Sequence, residues 1–190
     1  RDCVEDASPM NNWFSFPGQP GDRTFEQQMT GLEPWLAELC CDKSILDFGC
    51  AEGLIGMEML RQGAEHVFGV ELLKERVGKA TRLAALRGFE DSTVFTVGDA
   101  NTYQPGTTYH VTLALAILHK LKDPSLVTRR LARATREHLV MRLPPHMRGT
   151  VVDPRSKNVP HDLDIVLHRE GFDQVRAAND GPLGEWIGVY

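Results

Sequence analysis

Four side chains that can hold or exchange protons follow apolar segments of this sequence at wide intervals. Asp47, Glu71 and Asp99 each lie at or just after a short apolar run, and His119 follows a fourth run. If the runs are parallel strands, their carboxyl ends meet at one edge of a sheet and gather the four side chains there. Carboxylates at such an edge accept hydrogen bonds from ribose hydroxyls, and a histidine can act as a base. The spacing therefore indicates a site for a nucleotide-like ligand.

A glycine-containing turn follows the first of these acids. Gly49 to Gly53 come directly after the apolar run, and Leu54 to Leu60 continue with apolar residues at helical spacing. This predicts a strand, a tight turn and a helix whose free N–H groups attract an anionic group. The dinucleotide fingerprint G-x-G-x-x-G fits poorly, because Ala51 and Leu54 occupy the places of its second and third glycines. A dehydrogenase is therefore the least favoured function.

The same turn carries a family resemblance. Asp47-Phe48-Gly49-Cys50-Ala51-Glu52-Gly53 resembles motif I of the class I S-adenosylmethionine-dependent methyltransferases, D-x-G-x-G-x-G, with Ala51 in place of the middle glycine. The resemblance implies S-adenosyl-L-methionine as cofactor and S-adenosyl-L-homocysteine as product. It implies that Glu71 binds the ribose and that Asp99 contacts the adenine amino group. The cofactor-binding residues that we expect are Asp47, Gly49, Cys50, Ala51, Gly53, Glu71, Leu72, Asp99 and Ala100.

Strand and helix patterns alternate along the chain, which predicts an α/β fold with a mostly parallel sheet. The predicted strands cover residues 45–48, 66–70, 93–97, 110–118, 137–143, 172–177 and 186–190, and helices begin near Leu54, Lys74 and Pro124, with a last one around Leu163. Asp123 is the predicted N-cap of the third of these helices. The resemblance implies a Rossmann-like, seven-stranded sheet with helices on both faces and an antiparallel last strand.

One domain is expected, because 190 residues with a hydrophobic fraction of 42% suffice for one core. Residues 1–43 are predicted to form an N-terminal arm and helix, and residues 44–190 the cofactor-binding domain. Trp13, Phe14 and Phe16 need an apolar partner, so the arm is expected to lie across the domain or over a ligand. The helix is expected to start at Asp22 or Thr24, and Gly31 and Pro34 are expected to interrupt it.

Several classes of protein are disfavoured by composition. No run of about 20 apolar residues could span a bilayer, and the first twenty residues lack a signal-peptide core. Neither the cysteines nor the histidines show metal-ligand spacing, so we expect no metal and reduced thiols. A cytoplasmic location is expected, with the reservation that the chain could lack its natural start. The oligomeric state stays open.

Charge is unevenly distributed and suggests alternatives for the substrate. Residues 119–157 carry ten bases against three acids, whereas residues 1–60 carry three bases against eleven acids. Arg129, Arg133 and Arg136 fall on one helical face, which is typical of a phosphate- or RNA-binding surface and equally of a solvated helix. Arg142, Arg148 and Arg155 are better candidates for contact with an acidic group of a substrate.

The leading hypothesis is methyl transfer to an oxygen or nitrogen of a small molecule. The alternatives are RNA methylation through the basic 119–157 region and a non-catalytic adenosine-ligand module. His119 is the first candidate for a catalytic base, followed by Asp123 and His146. The motif N/D-P-P-Y/F of nucleic-acid N-methyltransferases is absent after the fourth strand, where Leu118-His119-Lys120-Leu121 stands.

Overall fold

The alternating pattern folds into seven strands and six helices in the computed structural model, which describes residues 12–33, 35–143, 159–178 and 185–190. The strands are β1 (Ser44–Phe48), β2 (His66–Glu71), β3 (Thr93–Val97), β4 (Tyr109–Leu115), β5 (Thr135–Leu143), β6 (Arg176–Ala178) and β7 (Trp186–Val189). The helices are α1 (Phe25–Met29), α2 (Trp35–Cys40), α3 (Leu54–Arg61), α4 (Lys74–Leu86), α5 (Pro124–Arg133) and α6 (Val159–Arg169). Short 3-10 turns cover Glu90–Ser92 and Leu118–Lys120.

All seven strands belong to one sheet, in the order β3-β2-β1-β4-β5-β7-β6. Strands β1 to β5 pair with one another in parallel, and β7 runs antiparallel to both β5 and β6. The predicted Rossmann-like sheet with an antiparallel last strand is thereby confirmed. The chain moves outward from β1 to β3 and then returns to β4 on the other side of β1. The order in which strands are added to the sheet therefore reverses between β1 and β4. Ligands of such sheets bind outside the carboxyl ends of the strands at this reversal.

Apolar side chains cover both faces of the sheet, because successive residues of a strand point to opposite sides. Ile45 and Val67 pack against α3, α4 and the arm on one face. Leu46 and Phe48 pack on the other face with Leu131 of α5 and residues of α6. Both faces are therefore buried, and the open edge at the carboxyl ends of the strands is left for a site.

The N-terminal segment folds into two short helices, as the predicted interruption required. Thr24 caps α1 through a reciprocal pair of hydrogen bonds, in which Gln27 N donates to Thr24 Oγ1 over 3.2 Å and Thr24 N to Gln27 Oε1 over 2.9 Å. Of the two predicted caps, Thr24 is thus the one used. Gly31 has a φ of +78°, which ends the first helical stretch.

Three strand boundaries differ from the prediction by two residues or more. β4 ends at Leu115 instead of Leu118, because Ala116 turns the chain with a φ of +56°. β5 begins two residues early, at Thr135, whose buried hydroxyl group donates to the Leu131 carbonyl over 2.8 Å and can accept from the Thr112 hydroxyl group, 2.7 Å away. The predicted strand at 172–177 is reduced to β6, which starts at Arg176.

Some predictions fall outside the described residues. They concern the arm before residue 12, most of the predicted 146–160 loop, and the side chains of His146, Arg148 and Arg155. Within the described ranges, Cys40, Cys41 and Cys50 form no disulfide, and none of the helices has the length and apolar character that a bilayer crossing needs.

Candidate functional site

A cavity of about 260 Å³ lies at the carboxyl ends of β1, β2, β3 and β4, beside the reversal of the strand order. Of the nine residues predicted to bind the cofactor, the following line it: Gly49, Ala51, Glu71, Leu72, Asp99 and Ala100. The walls also include the aliphatic side chains of Leu73, Ile117 and Leu121. The cavity therefore combines carboxylates with an apolar surface.

The turn after β1 forms the floor of the cavity and is tied to β2. Gly49 N and Cys50 N donate to the Val70 carbonyl over 2.8 and 3.0 Å. Gly49 has a φ of +85°, and a Cβ atom there would come within 3.1 Å of the Ile117 side chain. Ala51 also has a positive φ, +50°, a conformation that costs an alanine roughly 1–2 kcal/mol. A glycine is therefore needed at the first position, and a small residue is tolerated at the second.

Gly53, Cys50 and Asp47 are not among the lining residues of this cavity. Gly53 adopts a φ of +74° as the N-cap of α3, and a Cβ atom would stand 2.7 Å from the ring of Phe95. Cys50 is buried. These residues therefore contribute to the conformation of the turn and do not line the cavity.

Asp47 is buried under the N-terminal half of α3. Burial raises the pKa of its carboxyl group to about 7; a hydrogen bond from the Gly56 amide lowers the pKa, and the nearby Glu71 raises it. Among the described residues its Oδ2 has no hydrogen-bond partner. The Asp47 side chain therefore affects the site indirectly, through the conformation of the turn and through the charge of its carboxyl group.

Glu71, at the end of β2, presents a buried carboxylate at the cavity. Its Oε2 accepts from Ala51 N over 3.1 Å, and its Oε1 accepts from Leu73 N over 3.0 Å. These two backbone donors fix the orientation of the carboxylate. A carboxylate group offers about four lone-pair sites, so Glu71 can still accept from two hydroxyl groups of a ribose.

Asp99 follows β3 and lies exposed on the cavity wall. Its Oδ1 accepts from the backbone N and the side-chain Nδ2 of Asn101, both over 2.9 Å. These hydrogen bonds hold the pKa of Asp99 below its ordinary value. The carboxylate is therefore an ionised acceptor for a donor such as an amino group.

The arm reaches the same cavity through Trp13. Glu52, which is fully buried in the turn, accepts from Trp13 N over 2.9 Å and from Phe14 N over 3.1 Å. Lys120 Nζ lies 4.3 Å from the centroid of the Trp13 ring. The described part of the arm, from residue 12 onward, thus lies across the domain and borders the cavity through Trp13.

Sequence reasoning missed the roles of Glu52, Arg76 and Lys120. Arg76 and Lys120 line the cavity, and Arg76 Nε lies 3.7 Å from Glu52 Oε1. These cations can bind the anionic tail of a ligand. The signal in the sequence was an acid within the glycine turn and a base in the first turn of the helix after Glu71.

His119 lies in the Leu118–Lys120 turn and is buried. Burial, with Lys120 and Arg23 nearby, lowers its pKa to about 4. His119 is not among the residues that line the cavity, so its catalytic role remains a prediction. Asp123 is engaged as a helix cap, because its Oδ1 accepts from Leu126 N over 2.8 Å. No group of three or more His, Cys, Asp or Glu in the described ranges could hold a metal ion.

Comparisons with known proteins agree with this geometry. The family described as "Methyltransferase domain" matches residues 45–138. The ubiquinone biosynthesis O-methyltransferase of Aeromonas salmonicida is 33% identical over 94 residues, 50% of this chain and 39% of that protein. An uncharacterized RNA methyltransferase of Halalkalibacterium halodurans is 39% identical over 69 residues, 36% of this chain and 15% of that protein.

A solved structure shares the fold. The S-adenosylmethionine-dependent methyltransferase of Aquifex aeolicus superposes with a TM-score of 0.67 at 17% identity, covering 86% of this chain and 90% of that one. The curated relatives are longer, and this chain spans about two fifths of the Aeromonas protein.

Proposed function

Since the chain belongs to the class I S-adenosylmethionine-dependent methyltransferase family, we propose that it transfers a methyl group to an oxygen or nitrogen of a small molecule. The observation that carries this proposal is the cavity at the reversal of the strand order, where Glu71, Asp99 and the turn around Gly49 meet. An ionised carboxylate, apolar walls and two nearby cations fit the ribose, the adenine and the carboxylate of S-adenosylmethionine. The residues present therefore suit the cofactor that the family uses.

The proposed cofactor contacts follow the placement of each side chain. Glu71 accepts from the ribose hydroxyls, Asp99 accepts from the adenine amino group, and Leu72 and Ala100 flank the base. Gly49 and Ala51 let the backbone approach the ligand closely. Arg76 and Lys120 bind the anionic end. When bound, the cofactor supplies a sulfonium methyl group that carries its own leaving group.

The protein's contribution to the reaction is mainly positional, because in-line displacement needs the acceptor atom held close and aligned. Trp13 of the arm borders the cavity and limits the access of water there. A base is needed only for an acceptor that is protonated. His119 is neutral at physiological pH, and its lowered pKa makes it a weak base.

RNA methylation is the second candidate, favoured by the basic composition of residues 119–157 and by the match to the Halalkalibacterium protein. The described arginines of that region have other partners. Arg129 and Arg133 pair with Glu170 at 3.3 and 2.9 Å, and Arg130 Nη1 donates to the carbonyl groups of Asn101 and Tyr103. These contacts reduce the charge available to a phosphate backbone, which supports the small-molecule alternative.

The experiment is a calorimetric titration with S-adenosylmethionine, S-adenosylhomocysteine and NAD, on the wild type and on Glu71→Gln. We expect both adenosyl ligands to bind and NAD to give no heat. Loss of hydrogen bonds to a charged acceptor typically amounts to about 1.5–3 kcal/mol, so Glu71→Gln should weaken binding by roughly 10- to 150-fold. The matched control is Glu137→Gln, whose exposed carboxylate pairs with Lys43 instead.

Binding of NAD alone, or of no ligand, would refute the proposed cofactor. A second step separates the remaining alternatives, by measuring S-adenosylhomocysteine formation with a panel of small phenols and amines and with single-stranded RNA. Turnover on RNA that falls steeply with added salt would favour the RNA alternative. Cofactor binding without turnover on any acceptor would favour the non-catalytic module.

A further inference from the structure

A second polar cluster lies at the same edge of the sheet, next to the cofactor cavity. Arg142, the penultimate residue of β5, is opposite Leu115 in β4, and its carbonyl accepts from Ala116 N over 3.0 Å. Leu115 and Ala116 line the cavity. The side chain of Arg142 is fully buried. The backbone of Arg142 therefore adjoins the cavity wall on the β5 side.

The guanidinium of Arg142 is held by neutral groups. Its Nη1 donates to Gln28 Oε1 over 3.2 Å, and its Nη2 donates to the Thr30 carbonyl over 3.0 Å. In the described part of the chain no carboxylate forms an ion pair with Arg142 within 4 Å. Glu185 attracts the guanidinium from a longer distance, while its carboxylate is in contact with Arg23 at 2.6 Å. A buried positive charge with no carboxylate in direct contact is expensive for a protein to maintain.

Three buried nitrogen atoms in this part of the structure have no hydrogen-bond partner among the described residues. They are Arg142 Nε, Gln28 Nε2 and His119 Nδ1, and Arg142 and His119 share Arg23 and Glu185 as charged neighbours. Gln28 and His119 are 2% and 7% exposed, so none of these atoms is satisfied by bulk solvent. The first two are N–H donors, because Gln28 Oε1 already accepts from Arg142. His119 becomes a third donor when its neutral ring carries the proton on Nδ1.

Buried donors of this kind are normally paired, and an unsatisfied one marks a functional group or a missing partner. Unpaired buried nitrogen atoms near a cation that touches no carboxylate match an anionic oxygen ligand. We propose that Arg142, Gln28 and His119 form the subsite that binds a carboxylate of the methyl acceptor. This inference rests on the proposed function, since it assigns the substrate of that site to the class of small carboxylic acids.

Entry of the acceptor requires that the Gln28 side chain turn away from Arg142, after which the carboxylate takes the place of its amide oxygen. A carboxylate on Arg142 gains charge-assisted hydrogen bonds that the amide cannot supply. The subsite thus discriminates between an acid and its neutral amide. It also gives His119 a binding role beside the cofactor cavity, without proton transfer.

The test follows the Arg142 Nε–H signal by ¹⁵N NMR in protein saturated with S-adenosylhomocysteine. The signal is identified by its absence in Arg142→Lys. The probes are benzoate, its neutral analogue benzamide, and inorganic phosphate. We expect benzoate to shift the signal and to bind about tenfold more tightly than benzamide, as a hydrogen bond to a charged group requires.

Gln28→Glu is the decisive variant. It places a carboxylate where Gln28 Oε1 already contacts Arg142, so the protein should fold and the subsite should be filled by its own side chain. The signal should then start at a shifted position and no longer respond to benzoate. Arg136→Lys is the control, because Arg136 is exposed and donates to Thr108 Oγ1 instead; its response should equal that of the wild type.

Several outcomes would overturn the inference. They are no shift with benzoate, equal shifts with benzoate and benzamide, a response to phosphate alone, or a retained response in Gln28→Glu. Each of these outcomes would leave Arg142 with only a structural role, in which its hydrogen bonds link β5 to the segment around α1. Because S-adenosylhomocysteine binding is measured first in the same samples, a failure of the cofactor proposal is recognised separately.

Discussion

At the level of single residues, the site places its charged groups in unequal environments. Glu71 and Asp99 accept hydrogen bonds from backbone N–H groups and line the cavity, whereas Asp47 lies behind the turn, where burial raises the pKa of its carboxyl group. Asp47 therefore differs from the two acids that face the cavity. This difference predicts that the free energy of unfolding depends on pH, which can be measured.

Asp47→Asn should remove a pH dependence of stability. The Asp47 carboxyl ionises near 3.8 in the unfolded chain, and its pKa is raised to about 7 in the fold. Between these pH values the folded protein binds a proton that the unfolded chain lacks, so the wild type loses stability as pH rises and reaches a plateau above 7. The loss amounts to at most about 4 kcal/mol, at 1.36 kcal/mol per pKa unit.

Urea denaturation of both proteins at several pH values from 4 to 8 measures this effect. The free energy of unfolding of Asp47→Asn, relative to that of the wild type, should rise over this range. Asp91→Asn, in the exposed turn before β3, is the control and should follow the wild type. Parallel curves for Asp47→Asn and the wild type would show that the Asp47 carboxyl is not shifted.

At the level of elements, the arm depends on one buried side chain. Glu52 accepts from two consecutive backbone N–H groups of the arm, and Phe14 packs in the core beside them. An arginine of α4 adds a charge contact at 3.7 Å. The turn that forms the floor of the cavity therefore also holds the segment that borders it.

Glu52→Gln should loosen the arm without removing it. A glutamine keeps one acceptor and turns an N–H donor toward a backbone donor, and loss of a hydrogen bond to a charged group amounts to about 1.5–3 kcal/mol. We expect chymotrypsin to cleave at Trp13 to Phe16 about 10- to 100-fold faster when cleavage follows local opening. Glu58→Gln, which disrupts a surface pair with Arg61 on α3, should leave this rate unchanged. An unchanged rate in Glu52→Gln would mean that Phe14 alone anchors the arm.

The elements were predictable where the local pattern decides their structure. The strands up to β3, the cap at Asp123 and the positions of Glu71 and Asp99 followed from apolar runs and turn chemistry. The end of β4 was not predictable, because it depends on the positive φ of Ala116, a conformation that alanine rarely adopts. The buried cluster of Gln28 and Arg142 joins residues 114 positions apart, and no local pattern reports such a contact.

At the level of the whole molecule, the described parts share one continuous core. Phe14 of the arm, Val140 of β5 and Ile187 of β7 belong to the same apolar cluster on one face of the sheet. The central strand β1 contributes Ile45 to this cluster and Leu46 to the cluster on the other face. No boundary separates the arm from the sheet within the described residues, which is the basis for expecting cooperative unfolding.

Thermal unfolding should therefore show one transition, and S-adenosylhomocysteine should raise its midpoint as a whole. A ligand that binds only the folded state adds about 2.7 kcal/mol at a concentration of 100 times its Kd. For a chain of 190 residues this corresponds to an increase in Tm of about 5–11 °C. Differential scanning calorimetry at equal ligand concentrations measures the shift, which should be about 2- to 9-fold smaller in Glu71→Gln. Two transitions, of which the ligand moves only one, would contradict the single cooperative core and would place the arm or the β6–β7 hairpin in a separate folding unit.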